Sequence, residues 1–358
     1  MVVRCALVFG LLGLFQATLG PLIPLLSDRQ HLEPATAGLI VTGFFGGSLV
    51  STAIGGALSD RWARGPLYVV CAVLLLGGLV LFALPLSWPL PLGAVVVAGL
   101  GFGGLVLIIN AVTAARGLAH VNLVNGAYGL GAAAGPALVS LTHGGYLFAV
   151  VAVCLVGTLP LRLAAPAAPP AHERLTVGPT LLLFCALLFS YAGVETGLSS
   201  WEATQLRAHG YAPDTASALT SLFWLGLATG RLLVPLVTRN WTAVRLLVTT
   251  LLACAASLTL ITVDVSAPTG YFLLGMFAGP VFPTTLAWIA ATLPHPRRVT
   301  AVVLTVAMLG NSVVPTVIGF GMQATSDLAL PLFVAVAMAC CLGVVVALSR
   351  TQRVASRE

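Results

Sequence analysis

Apolar runs long enough to cross a bilayer follow one another along nearly the whole chain. A hydrocarbon core of about 30 Å takes about 20 apolar residues of helix. Twelve such stretches can be marked, at 2–26, 35–58, 66–86, 89–113, 121–142, 144–163, 178–202, 214–238, 241–263, 267–290, 299–322 and 328–349. Hydrocarbon offers no water to a backbone N–H or C=O, so each run must satisfy its own backbone by coiling into a helix. Membrane-spanning strands would alternate polar and apolar residues over about ten positions, and these runs do not. Charged residues make up 7% of the chain, against about 25% in a soluble domain. The expectation is an all-α membrane protein with twelve transmembrane helices. The first run is too long for a signal peptide, and eleven more follow it.

Charge placement orients these helices. The 16 basic residues are all arginine and the net charge is +6. With the N-terminus on the cytoplasmic side, Arg4, Arg61, Arg64, Arg116, Arg162, Arg174, Arg239, Arg245, Arg297, Arg298, Arg350, Arg353 and Arg357 all fall inside. Arg29 and Arg207 fall outside, and Arg231 lies within a helix. This is the positive-inside pattern. It predicts a multi-pass protein of the cell inner membrane with both termini cytoplasmic. Nucleic-acid binding would instead need the basic residues clustered on one soluble face. The seven cysteines are scattered through apolar stretches without a CxxC spacing and read as packing residues, so no metal or other cofactor is expected.

The chain resembles itself at an offset of 179 residues. Phe44, Gly47 and Trp62 map onto Phe223, Gly226 and Trp241. Gly131 and Pro136 map onto Gly310 and Pro315, and Gln16 maps onto Glu195. A shared offset across three helix pairs predicts two six-helix halves in the same orientation with a binding site between them. The halves are expected at 1–163 and 178–358, the second ending in a short cytoplasmic tail. The Pro-containing linker 164–177 joins them. The other loops are too short to hold a soluble catalytic domain.

Gly56-Ala57-Leu58-Ser59-Asp60-Arg61-Trp62-Ala63-Arg64 closes the second stretch. It resembles the Gly-x-Leu-x-Asp-Arg-x-Gly-Arg loop of the major facilitator superfamily, with Ala63 in place of one glycine. The resemblance implies the superfamily's fold of two six-helix bundles. It also implies a conformational latch formed by Asp60, Arg61 and Arg64, with Asp60 near a helix N-terminus where positive partial charge favours a carboxylate. Arg231, near the cytoplasmic gate, is grouped with this latch as a structural contact.

The fifth stretch, from Val121 through Asn122, Asn125, Tyr128, Gly131 and Gly135 to Pro136, is similar to that of the fucose permease branch. That branch's residues matching Asn125 and Tyr128 contact sugar. Tyr191-x-Gly193-x-Glu195 with Trp201, Phe223-Trp224-x-Gly226-x-x-x-Gly230-Arg231 and Gly279-Pro280-Val281-Phe282-Pro283-Thr284 resemble its seventh, eighth and tenth helices. The branch couples transport to protons through acids in its first and fourth helices. This chain has Gln16 and Val106 there, so coupling would have to fall to Glu195.

Glu195 is the one carboxylate placed at membrane depth, where an ionisable group costs several kcal/mol and marks a substrate or proton path. Tyr191 lies one turn before it on the same face. Gln16, Asn110, Asn125, Tyr128, Tyr191, Glu195, Trp201, Trp224 and Asn311 form the predicted solute site: amides to match hydroxyl groups, tryptophans to stack on a pyranose. Trp288 reads as an interfacial anchor. With no ATP-binding loop and no nucleophile–base set, the chain reads as a secondary transporter rather than an enzyme. The expected solute is small, neutral and polar, foremost a sugar, moved as a monomer's cargo by alternating access with proton (or sodium) symport. An exporter of drugs or metabolites and a non-transporting sensor are the alternatives.

Overall fold

The computed structural model describes residues 2–58, 64–114, 116, 118–143, 178–293 and 296–355. Among these the protein is all helical: α1 Val2–Gln30, α2 Pro34–Leu58, α3 Arg64–Ala83, α4 Leu90–Ala114, α5 Leu118–Thr142, α6 Pro179–Ala208, α7 Pro213–Leu219, α8 Ser221–Val237, α9 Ala243–Ile261, α10 Ala267–Ala278, α11 Val281–Thr292, α12 Pro296–Ala324 and α13 Leu330–Ala355. A 3-10 turn, Asp327–Ala329, precedes α13. Ten helical spans among the described residues are long and apolar enough to cross a membrane, with α7–α8 and α10–α11 each counting as one. The helices match the apolar runs closely at their starts and less closely at their ends. The predicted sixth stretch and linker lie outside the described residues.

Two spans are broken where the sequence withdraws a backbone donor or shifts its geometry. α7 gives way to α8 at Thr220. α10 ends at Ala278 and α11 begins at Val281, because Pro280 and Pro283 have no N–H to offer the carbonyls four residues earlier, Met276 and Gly279. Large exposed side chains such as Leu130, Leu141, Leu232, Leu236 and Val237 form an apolar exterior suited to lipid rather than water.

The chain divides into two compact units, Met1–Ala171 with Tyr211–Ser221, and His172–Gly210 with Leu222–Glu358. Tyr211–Ser221 groups with the first unit through the packing of α7 on α5, beside a 3.2 Å contact between His143 Nδ1 and Asp214 Oδ1.

Each unit is held by backbone crossings that only glycine permits. A Cβ at Gly131 would overlap the Gly10 carbonyl in the first unit, and one at Gly310 would overlap the Phe189 carbonyl in the second. Both members of each pair are shifted by the same 179 residues. Gly47 meets the Val96 carbonyl, and Gly226 meets that of Phe272. The repeat seen in the sequence is thus a repeat of helix crossings, the close packing that small residues allow in a membrane.

Candidate functional site

In the second unit the functional groups hang on α6, which is 30 residues long. Gly178 caps its start with Pro179 at the first helical position, where proline's missing N–H costs nothing. The helix runs on until His209 and Gly210, the latter in a left-handed conformation at φ +89 that glycine adopts without strain.

Tyr191 is buried, and its hydroxyl lies 2.8 Å from Glu195 Oε2 and 2.8 Å from the Ala278 carbonyl oxygen. One phenol proton cannot serve both acceptors. When Glu195 is ionised, the phenol donates to one or the other. When Glu195 is protonated, its carboxyl O–H donates to the phenol oxygen and the phenol donates to Ala278, so every group is satisfied. Arg231 approaches from α8. Its Nη2 is 3.9 Å from Glu195 Oε2, and its Nε donates to the Gly279 carbonyl at 3.4 Å. That carbonyl is available because Pro283 cannot bond it. Glu195 is 20% exposed, so the group sits between burial and access and has a partner for either charge state.

Arg231, grouped with the latch from the sequence, lies beside Glu195 and the Gly279 carbonyl. The glycine-lined crossing, with Gly230 against Met276 and Gly279 against Leu227, brings it there. Asp60 and Arg61 lie outside the described residues. Arg64 opens α3, and its side chain is likewise not described.

The other predicted residues distribute unevenly. Asn311 on α12 accepts a hydrogen bond from Thr196 at 3.0 Å and places its amide 3.9 Å from Met308 Sδ. Trp201 is 2% exposed, donates from Nε1 to the Pro315 carbonyl at 2.8 Å and fills the notch left by Gly319. Its indole is engaged as a wedge between α6 and α12. Trp224 is 4% exposed and packs edge-on against Phe223. Trp288, read from the sequence as an interfacial anchor, is buried against Phe184.

In the first unit Gln16 is 7% exposed, and its Oε1 accepts from Tyr128 Oη at 2.5 Å. Two predicted residues from α1 and α5 are thus joined, with Phe9 packed edge-on to Tyr128. Asn110 is half-buried on α4, and Asn125 is exposed on α5.

Glu195 is not the only carboxylate at depth. Glu202 is completely buried on the same helix. The apolar run ends near 202 in the sequence, but nothing between Ser199 and Arg207 breaks a helix, so α6 carries Glu202 well inside. The available signal was its spacing, seven residues after Glu195 and hence on the same stripe.

Residues 5–182 match the model of the Major Facilitator Superfamily. The first half of the chain is thus similar to a major facilitator domain. No curated protein sequence matches it. Among solved structures, a point mutant of the nucleoside transporter NupG superposes with TM-score 0.82 at 13% identity, covering 97% of this chain and 99% of that one. The D-xylose-proton symporter superposes with TM-score 0.74 at 14% identity, covering 95% and 96%. A point mutant of the peptide transporter POT superposes with TM-score 0.76 at 14% identity, covering 97% and 93%. At these identities the likeness establishes the fold: an all-α membrane protein of the major facilitator kind.

Proposed function

We propose that this major facilitator protein is a secondary transporter of a small neutral polar solute, foremost a sugar, which it moves by alternating access in symport with protons at Glu195. The observation that carries the reading is the Tyr191 hydroxyl, equidistant from Glu195 and the Ala278 carbonyl, a geometry that accommodates the acid with or without its proton. Gln16, Tyr128 and Asn311 supply neutral donors and acceptors suited to hydroxyl groups. The fucose-permease-like pattern of the fifth, seventh, eighth and tenth stretches supports a sugar, and the ribose of a nucleoside offers the same hydroxyl chemistry. An organic cation is less well served: Arg231 already faces the Glu195 charge, and Trp201 and Trp224 are packed away.

The arginine distribution supports an inner-membrane protein with both termini cytoplasmic, organised as two halves at 1–163 and 178–358 around the linker 164–177. Asp60, Arg61 and Arg64 form its cytoplasmic latch, and it works as a monomer.

The test is uptake into proteoliposomes under an imposed pH gradient, run with a panel of labelled monosaccharides and nucleosides. One panel member should accumulate, and Glu195→Gln should abolish gradient-driven accumulation while leaving exchange intact. Full accumulation by Glu195→Gln would refute coupling at this residue.

A further inference from the structure

The stripe of α6 that bears Tyr191 and Glu195 continues beyond them. Ser199 follows Glu195 by four residues and Glu202 follows Ser199 by three, so all three share one face. Glu202 is 0% exposed, and neither of its carboxyl oxygens has a hydrogen-bond partner. One turn further, Gln205 Oε1 is occupied by the Tyr271 hydroxyl, and Gln205 Nε2 is also without a partner.

Among the described residues, the surrounding elements supply no counter-charge to Glu202. Tyr271 on α10 donates its hydrogen bond to Gln205. Asp264, on the turn between α9 and α10, is held by His209 Nδ1, whose Nε2 lies 3.0 Å from the Ile261 carbonyl. Asp327, on the 3-10 turn packed against α6, is a second acid rather than a base. Pro315–Ala324 of α12, alongside Trp201, contains no titratable residue. α13 brings the thiols of Cys340 and Cys341 and the arginines near its C-terminus. On α6 itself, Arg207 is five residues on, around the helix from Glu202. An ionised carboxylate enclosed without a donor is very costly in such a place, whereas the neutral acid is much less so.

We propose that Glu202 is a second proton-carrying site and that it exchanges its proton with Glu195 through the Ser199 hydroxyl. This rests on the reading of Glu195 as the coupling group and extends it by one station. In the transfer, the Glu202 O–H bond breaks as the Ser199 oxygen takes the proton. Ser199 gives its own proton to a Glu195 oxygen. Glu202 is left ionised and Glu195 neutral, with the negative charge displaced about 10 Å along the helix. At rest Ser199 donates to the Thr196 carbonyl at 3.2 Å, at the long end of the hydrogen-bond range and so readily exchanged. The ionised Glu202 is the short-lived state, and it recovers a proton from the Ala208 end of α6.

The proton itself is the probe, so no solute need be known. Infrared difference spectra of the purified full chain are recorded between about pH 5 and pH 9. A protonated-carboxyl band characteristic of apolar surroundings should titrate in this window. It should vanish in Glu202→Gln and persist in Glu195→Gln. Ser199→Ala should keep the band but slow its response to a pH jump several-fold. A band unaffected by Glu202→Gln overturns the proposal, as does one that stays constant across the pH range, or an unchanged response in Ser199→Ala. Where Glu202→Gln does not yield folded protein, Glu202→Asp decides: it keeps the acid and must shift the band, and an unshifted band overturns the assignment. Failure of Glu195 as coupling group reads out separately, as undiminished gradient-driven accumulation in Glu195→Gln with the Glu202 band intact.

Discussion

Gln16 and Glu195 occupy equivalent places in the two units, 179 residues apart, and each meets a tyrosine hydroxyl. In the first unit the phenol comes from another helix, Tyr128 on α5, and the acceptor is an amide that holds no exchangeable charge. In the second, the phenol is Tyr191, one turn earlier on the same helix, and the acceptor is an acid with an arginine nearby. The scaffold is duplicated, down to the glycine crossings at Gly131 and Gly310, while the ionisable chemistry at this position is confined to one copy. Tyr128 bonds across helices. Tyr191 has one acceptor on its own helix and one on α10, and can change between them as Glu195 gains or loses its proton.

The scaffold half of this contrast breaks most severely. Gly131→Leu and Gly310→Leu each force a side chain into a backbone carbonyl, and each should cost about 3 kcal/mol or more of stability, seen as a large drop in thermal unfolding temperature. Tolerance of one but not the other would mean that the crossings are not equivalent.

Next comes the chemistry. Glu195→Gln makes the two units alike at this position and should abolish pH-gradient-driven accumulation, because the amide holds no exchangeable proton. Adding Gln16→Glu should not restore it, because Thr52 stands in the first repeat where Arg231 stands in the second. Restoration in the double variant would show that the two positions are interchangeable.

The tyrosines separate bracing from coupling. Tyr128→Phe and Tyr191→Phe should each destabilise by about 1 kcal/mol, measured by thermal unfolding. Only Tyr191→Phe should also change the pH dependence of transport. The mildest variant is Thr196→Val, which removes the donor to Asn311. It should cost about 0.5–1 kcal/mol and weaken solute affinity slightly without touching coupling.

The helices were legible because hydrocarbon permits little else, and the repeat was legible because glycine cannot be replaced where backbones touch. The Tyr191–Glu195 pair was legible as well, since a spacing of four fixes a shared face. What escaped the sequence depends on helices far apart in the chain. Trp201 reads as a stacking platform until Gly319 is seen to leave a notch for its ring. Arg231 reads as a gate residue until the crossing at Gly230 and Gly279 sets it beside Glu195. Glu202 was hidden for another reason: the polar run Ser199-Ser200-Trp201-Glu202 resembles a helix end, and only the uninterrupted backbone bonding of α6 shows that it is not.

The interruption at Gly279–Pro280 has an evolutionary corollary. The anchors it offers to Tyr191 and Arg231 are main-chain oxygens, which no side-chain replacement deletes. Glu195 can therefore be exchanged for another residue, and the chemistry of this position redirected, while the socket that receives the phenol and the guanidinium survives the change.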